Sequence, residues 1–262
     1  MTVRSNTLSL LLLALPLCCG AADDIVVASP DFWCPFSCEA GSKQEGFTID
    51  ILKAIFQPLG RTVHYRNMNY PRALEEVRRG HANATPSTFR EEAPDFVFPR
   101  LPISRNQYCV YTHVGQTWTY DGPASLRNKK IGIIQGYSYG PRLDAFIRQH
   151  PNQFESHTGD DLTLRIATKV VKQRMDGLIE DTNLVHYFMS VHPDFALREA
   201  GCEADTHAYF ALSPALPISA TLANEFDQGM RRLHDTGQLE HIMRQYGLHD
   251  WLGPYLLKLP AK

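Results

Sequence analysis

Asn83-Ala84-Thr85-Pro86-Ser87-Thr88-Phe89-Arg90-Glu91-Glu92-Ala93-Pro94-Asp95-Phe96-Val97-Phe98-Pro99 is the stretch on which the reading of this chain turns. A short apolar segment runs into a hydroxyl at Thr85. A guanidinium follows at Arg90, and the chain then re-enters an apolar run at Asp95-Phe96. A guanidinium is a fixed fork of N–H donors, able to bind both oxygens of a carboxylate at once. A hydroxyl and free backbone amides beside it suit the same group. The plainer role for Arg90 is a solvated arginine paired with Glu91 or Glu92.

Outward from this stretch, short apolar runs alternate with helix-periodic segments, the pattern of layered α/β structure. Ile25-Val26-Val27-Ala28-Ser29 reads as a strand, and so do Thr62 to Tyr65 and Ala82 to Thr85. Between them, Phe47 to Leu59 carries apolar residues at helical spacing and stops at Gly60; Arg72 to Gly80 is a second helix. Asn106 to His113 reads as one continuous strand. A further βα unit opens at Lys130-Ile131-Gly132-Ile133-Ile134, with a helix near Gly140 to His150 and another over Leu162 to Lys172. Met175 to Asp181 is a strand ending in two carboxylates, and Thr182 to Val191 is helical. Thr206 to Leu212 is a strand, and amphipathic helices over Ser219 to Thr236 and Gln238 to Tyr246 finish the chain. The β-rich crossings near residues 110 and 209 bracket the middle section. The expected organisation is therefore one lobe from 23–110 and 210–262, and a second from 111–209, joined by a two-strand hinge.

The 262 residues carry a formal net charge of −2, with 44% hydrophobic and 21% charged. Nothing in that balance draws nucleic acid or an acidic membrane surface. Residues 1–22 read as a secretory signal peptide: Arg4, an apolar run from Leu8 to Leu17, then Gly20-Ala21-Ala22 before the expected cleavage. The run is shorter than the ~20 residues a bilayer needs, and Pro16 interrupts it. Lipidation at Cys18 or Cys19 is the alternative, with bulky Leu17 against it. Export leaves Cys34, Cys38, Cys109 and Cys202 in an oxidising compartment. Four cysteines allow three connectivities, of which Cys34–Cys38 with Cys109–Cys202 is favoured. The Cys34–Cys38 spacing is one residue too long for a thioredoxin-type redox pair. No histidine stands near it at metal-ligand spacing. A second bond at the two crossings would tie them together and limit hinge opening. The eleven histidines, among them His113, His186 and His207, are scattered, and neither a cofactor nor a metal is expected.

Several motifs in order carry a resemblance: Trp33-Cys34-Pro35-Phe36, Gly46-Phe47-Thr48-Ile49-Asp50, Pro71-Arg72-Ala73-Leu74, Thr85 to Phe98, Gly136-Tyr137-Ser138-Tyr139, Met175 to Asp181, and Gly237-Gln238-Leu239 with Tyr246-Gly247-Leu248. With them the chain resembles type 2 periplasmic solute-binding proteins of family 3, which serve ABC importers of polar amino acids. The resemblance spans essentially all of the chain after residue 22. It implies two α/β lobes on a two-strand hinge with a ligand cleft between them, closing over an amino acid or similar zwitterion. It also implies a periplasmic location, a membrane ABC permease as partner, a monomer, and no enzymatic activity.

Residue by residue, the resemblance makes Arg90 the group that grips a ligand α-carboxylate, with Thr85 adding a hydroxyl or backbone contact. Asp181 receives the α-ammonium; its plainer role is the N-cap of the helix at Thr182. Trp33 covers one side of the ligand and Tyr70 lines the cleft, although either aromatic would serve in a core. Ser138 belongs to a loop offering amides to the carboxylate. Glu180 stands where the family varies its side-chain contact, and an acid there favours a cationic or hydrogen-bond-donating ligand. The chain departs from the family at Asn83-Ala84, where glycine and an apolar residue are usual. It departs again at Pro71-Arg72, which shortens a loop and brings Arg72 toward the cleft, as an extra anionic group on the ligand would require. Two other functions use the same scaffold: a free-standing sensory protein, and a dehydratase-like enzyme with Glu180 as its only nearby acid.

Overall fold

The computed structural model describes residues 24–30, 33–159 and 161–258. Residues 1–22, with the expected signal peptide and Cys18 and Cys19, lie outside the described residues. The opening stretch supplies a fully buried strand, β3 (Ala84–Thr88). It lies beside β1 (Ile25–Ser29), which runs parallel to both β3 and β2 (Val63–Asn67). Two further strands complete this sheet, β10 (Thr206–Leu212) and β4 (Ser104–Asn106), in the order β2-β1-β3-β10-β4 with β10 antiparallel to its neighbours. A second five-stranded sheet has the order β7-β6-β8-β5-β9, from β5 (Tyr108–His113), β6 (Ile131–Ile134), β7 (Phe154–His157), β8 (Gly177–Asp181) and β9 (Leu197–Cys202).

Helices cover both faces of each sheet, which is why β3, β6 and β8 are buried along their whole length rather than alternating. On the first sheet, α1 (Phe47–Phe56) drives Ile51, Leu52, Ile55 and Phe56 into one core. It meets there α6 (Ser219–Asp235) and α7 (Gln238–Arg244). Gly229 of α6 lets the two helices touch: a Cβ there would stand 2.5 Å from Ile55 Cγ2. The other face is closed by α2 (Tyr70–Arg78) through Ala73 and Val77. On the second sheet, α4 (Leu162–Val171) and α5 (Thr182–Val191) cover one side and α3 (Pro141–Gln149) the other. A short last helix, α8 (Leu252–Leu256), buries Trp251 and Leu252 in the core of the first sheet.

The run from Asn106 to His113 is two strands, not one. The chain leaves the first sheet after Asn106 and enters the second at Tyr108, so Gln107 is the crossing. It is pinned there. The Gln107 amide donates to Asp181 Oδ2 (3.1 Å), and the Thr182 amide donates to the Gln107 carbonyl (2.9 Å). The return crossing is residues 203–205, between β9 and β10. Leu184 of α5 belongs to the core of the first sheet, and Tyr187 packs against it, so the two halves share apolar contact beyond the crossings.

Both cysteine pairs are bonded, Cys34–Cys38 and Cys109–Cys202. Cys109 and Cys202 are register partners on neighbouring strands β5 and β9. Their bond therefore staples one sheet, at the point where the chain enters and leaves it, and does not join the two sheets. The loops differ greatly in span, 93 residues against 4. The chain-entropy argument assigns about 4–5 kcal/mol to the long loop and about 2 to the short one. Replacing Cys109 and Cys202 by alanine should lower the urea unfolding free energy by about 3–5 kcal/mol, and the Cys34/Cys38 double variant by about 1–2. Equal losses would show that loop length is not what the bonds act through.

Candidate functional site

The loops that follow β1, β3, β6 and β8 meet at the seam between the two halves, the position that strand C-termini favour for ligands in open α/β sheets. Two cavities lie along that seam. One, of about 400 Å³, sets Trp33 and Cys34 against Ile134, Tyr137, Leu184 and Tyr187. The other, of about 740 Å³, sets Phe89 to Glu92 against Ser138 to Arg142, with His207 and Tyr209 of β10 on its wall.

Arg90 lines the larger cavity and is exposed. Its Nη2 donates to the Pro99 carbonyl (2.7 Å), and its guanidinium lies 4.2 Å from the Tyr209 ring centroid and 5.1 Å from that of Phe98. Among the described residues it has no ion pair; Glu92, its expected local partner, is engaged elsewhere. Glu92 Oε2 accepts from the Tyr70 hydroxyl (2.7 Å) and from the Phe89 amide (3.2 Å). Tyr70 thus holds the loop behind Arg90, and burial, then the Glu92 charge, pushes its phenol far up. Arg72 is exposed at the head of α2, where its amide donates to the Asn69 cap (3.0 Å). It lines neither cavity.

Trp33 lines the smaller cavity. It stacks on Phe36 at 4.4 Å, within the loop closed by the Cys34–Cys38 bond. Backbone bonds in both directions between Trp33 and Ser37 (3.0 Å each) flatten that loop. The start of α1 grips it. Thr48 Oγ1 donates to the Phe36 carbonyl (2.7 Å), and only glycine fits at 46, where φ is 110° and a Cβ would stand 2.3 Å from that same carbonyl oxygen. Ser29 Oγ, Trp33 Nε1, Thr85 Oγ1 and Ser87 Oγ are buried without a partner among the described residues. Such groups are rare in native interiors; these four lie on β1, β3 and the loop after β1, and five others among the described residues, on Trp118, Gln153, His157, Arg198 and Trp251, lie elsewhere.

From the second half, Ser138 reaches the larger cavity, but its hydroxyl donates to Asp144 Oδ2 (2.6 Å). Asp144 also accepts from the Tyr139 amide (2.8 Å), which secures the turn into α3. Glu180 and Asp181 end β8 fully buried. Register places Asp181 opposite Tyr108 and Glu180 opposite Cys109, so the two carboxylates point to opposite faces of the sheet. Asp181 caps α5 by accepting from Asn183 N (2.8 Å), and also accepts from Gln107 N (3.1 Å) and Asn106 Nδ2 (3.2 Å). Glu180 Oε1 accepts from the Asp181 amide (2.9 Å). Among the described residues neither has an ion pair. Burial lifts Glu180 to about 8, with the Asp181 charge adding and the Asp181 amide opposing. Burial lifts Asp181 to about 7 against the hydrogen bonds it accepts. Tyr137 and Tyr139 feel the charge of Glu180, and Tyr108 feels both carboxylates; each phenol is raised first by burial and then by these charges.

The structure thus brings Arg90 and Ser138 to one cavity and Trp33 to the other. Thr85, Glu180 and Asp181 are buried at the strand ends and line neither. Tyr209, Phe98, Tyr108, Tyr137 and Tyr187 were not singled out from sequence. Tyr137 and Tyr139 flank Ser138 in its glycine-led motif, and Phe98 closes the Arg90 stretch, so these had a local signal; Tyr108, Tyr187 and Tyr209 needed the tertiary fold. The one group of possible metal ligands among the described residues is Cys109, Glu199 and Cys202, whose sulfurs are bonded to each other and offer no thiolate.

A family model described as bacterial extracellular solute-binding proteins, family 3, matches residues 25–249. No curated protein matches the sequence. Among solved structures, one from a study of glutathione import via GshT and the cystine ABC importer TcyBC of Streptococcus mutans has TM-score 0.70 at 17% identity, covering 86% of this chain and 95% of that one. An ancestral arginine-binding protein bound to arginine has TM-score 0.68 at 15% identity, covering 86% and 99%. A histidine kinase sensor domain with similarity to periplasmic binding proteins has TM-score 0.68 at 16% identity, covering 87% and 97%. At these identities the likeness is one of fold.

The raised carboxyls have a consequence for stability. A carboxyl whose folded pKa exceeds its unfolded value keeps its proton better in the folded state, so stability falls as pH rises from the unfolded value, about 4, through the folded one. Glu180→Gln should remove part of that slope, raising the melting midpoint at pH 8 more than at pH 4.5. A substitution that lowers both midpoints equally would show that Glu180 is not the source.

Proposed function

The chain belongs to the bacterial extracellular solute-binding proteins, family 3, and from that premise we propose that it captures an amino acid or related small zwitterion in the interlobe cleft and delivers it to a membrane ABC importer. The observation that carries this reading is a division of charge across the seam. An oriented guanidinium stands at the end of β3 on one side, and two buried carboxylates, neither in an ion pair among the described residues, end β8 on the other. Arg90 would take the ligand carboxylate in a bidentate pair, with the buried hydroxyls of Thr85 and Ser87 close along the same strand. Glu180 and Asp181 would take a cation. Two acids favour a ligand with a cationic side chain as well as an α-ammonium. Trp33 supplies an apolar wall, and closure about Gln107 and residues 203–205 traps the ligand.

Residues 1–22 act in this reading as the export signal that takes the chain to the periplasm, where it works as a monomer. A free-standing sensory role needs the same cleft, and the fold of a kinase sensor domain is compatible with it. The reading assigns no reaction to the site, since catalysis by Glu180 would need its proton aimed at a leaving group, whereas one Glu180 oxygen already faces the Asp181 amide.

Thermal shift against amino acids, polyamines and dicarboxylates tests the proposal. A ligand at ~1,000 times its dissociation constant adds about 4 kcal/mol of stability. Amino acids with cationic side chains should give the largest shift, and Arg90→Ala should abolish it. Because the ligand cation favours the ionised carboxyls, affinity should rise from pH 6 to pH 8, with protons released on binding. Binding that survives Arg90→Ala would remove the carboxylate clamp.

A further inference from the structure

The family match ends at residue 249, yet the chain continues into a short strap that packs on the first half behind the larger cavity. The strap is firmly held. The Glu240 carboxylate accepts from the Asp250 amide (2.6 Å), and the Asp250 carboxylate pairs with His234 Nδ1 (2.5 Å) and accepts from the Leu252 amide (2.8 Å). Trp251 and Leu252 are buried in the core. What the strap presents to β10 is Tyr255. Its ring lies 4.8 Å from the His207 ring, and its hydroxyl interacts electrostatically with that of Tyr209. Tyr209 in turn lies face-on to the Arg90 guanidinium at 4.2 Å, with Phe98 edge-on to Tyr209 and 5.1 Å from the same guanidinium.

The strap is therefore linked to the guanidinium through the Tyr255 and Tyr209 hydroxyls and then the Tyr209 ring, not through an unbroken run of ring contacts. An exposed arginine has many rotamers, and holding one costs conformational entropy. Here the two rings fix the plane of the fork and the Pro99 carbonyl takes one corner, so the remaining N–H groups keep one direction without an ion pair. We propose that Tyr209, seated by Tyr255 of the strap, is a positioning residue that pre-orients Arg90 for a ligand carboxylate. The proposal rests on the reading of Arg90 as the carboxylate grip. Neither tyrosine need touch the ligand.

Calorimetric binding of L-arginine and of its decarboxylated counterpart agmatine tests the idea, because only the first has the carboxylate. Tyr209→Leu should weaken L-arginine about fivefold, the worth of a cation–π contact of about 1 kcal/mol, and leave agmatine unchanged. Tyr255→Phe should act in the same direction by a smaller factor. Equal losses for both ligands would overturn the proposal. If L-arginine does not bind, or Arg90→Ala fails to separate it from agmatine, the carboxylate clamp fails instead. The brace is then decided on the protein alone, by the NMR signal of the Arg90 Nε–H group, identified by its loss in Arg90→Lys. Ring currents should shift that signal upfield, and Tyr209→Leu and Tyr255→Phe should both move it toward the position of a free arginine. A signal unmoved by Tyr255→Phe would overturn the proposal.

Discussion

Two carboxylates ending a buried strand, neither in an ion pair among the described residues and only Asp181 within reach of a cation's field, that of Arg105, set the terms for the rest of this molecule. Taking a carboxylate out of water is costly unless it is paired or well hydrogen-bonded. The chain solves half of that problem. Asp181 is surrounded by donors: the first turn of α5, the crossing residue Gln107, and Asn106 at the end of β4. The bonds that solvate it also fasten the crossing to the end of β8 and begin a helix. Glu180 receives much less, one amide from its own neighbour. The strand end where the two halves join is thus also where the second half carries uncompensated acid.

The first half answers with the opposite charge on a different device. Arg90 is exposed, and what fixes it is aromatic rather than ionic: Tyr209 on the strand that returns from the second half, and Phe98 downstream of Arg90 itself. An ion pair with Glu91 or Glu92 would have consumed the donors a carboxylate needs. Tyr70 draws Glu92 away. The disulfide-closed loop bearing Trp33 is held in a similar spirit, from the head of α1 and from Gly46. Within the first half, the side chains expected to face a ligand are thus seated by neighbouring rings, backbone and helix starts rather than by ion pairs.

Much of the fold was legible because strand and helix periods are written locally. The apolar runs at Ile25–Ser29 and Ile131–Ile134, and the helix opened at Thr182 by Asp181, need no partner to be read. The crossing at Gln107 was hidden. Asn106 to His113 has uniform β character, and only pairing with different strands divides it. Strands β7 and β9 were missed for a related reason: Phe154-Glu155-Ser156-His157 is short, and Leu197-Arg198-Glu199-Ala200 carries charges in its middle. The candidate site was legible as residue types and illegible as geometry. Trp33 and Arg90 could be named from motifs, but that they line separate cavities, and that Tyr209 backs Arg90, depends on contacts over a hundred residues apart in sequence.

The same geometry weighs the two acids unequally as partners for a ligand cation. An ionised carboxylate offers about four acceptor positions. Asp181 already uses three on Asn183, Gln107 and Asn106, and its cap role and its ammonium role compete for what remains. Glu180 uses one. Because successive residues of a strand face opposite sides, one cation cannot be shared symmetrically between them. A monocationic ligand must choose, and acceptor capacity favours Glu180. A dicationic one can satisfy both faces of β8, with Asp181 giving its single spare position to an ammonium and Glu180 its larger capacity to a group with several N–H donors. If the two acids meet the ligand as proposed, that asymmetry, more than the count of negative charges, would make a guanidinium-bearing side chain suit this strand end better than a second simple amine.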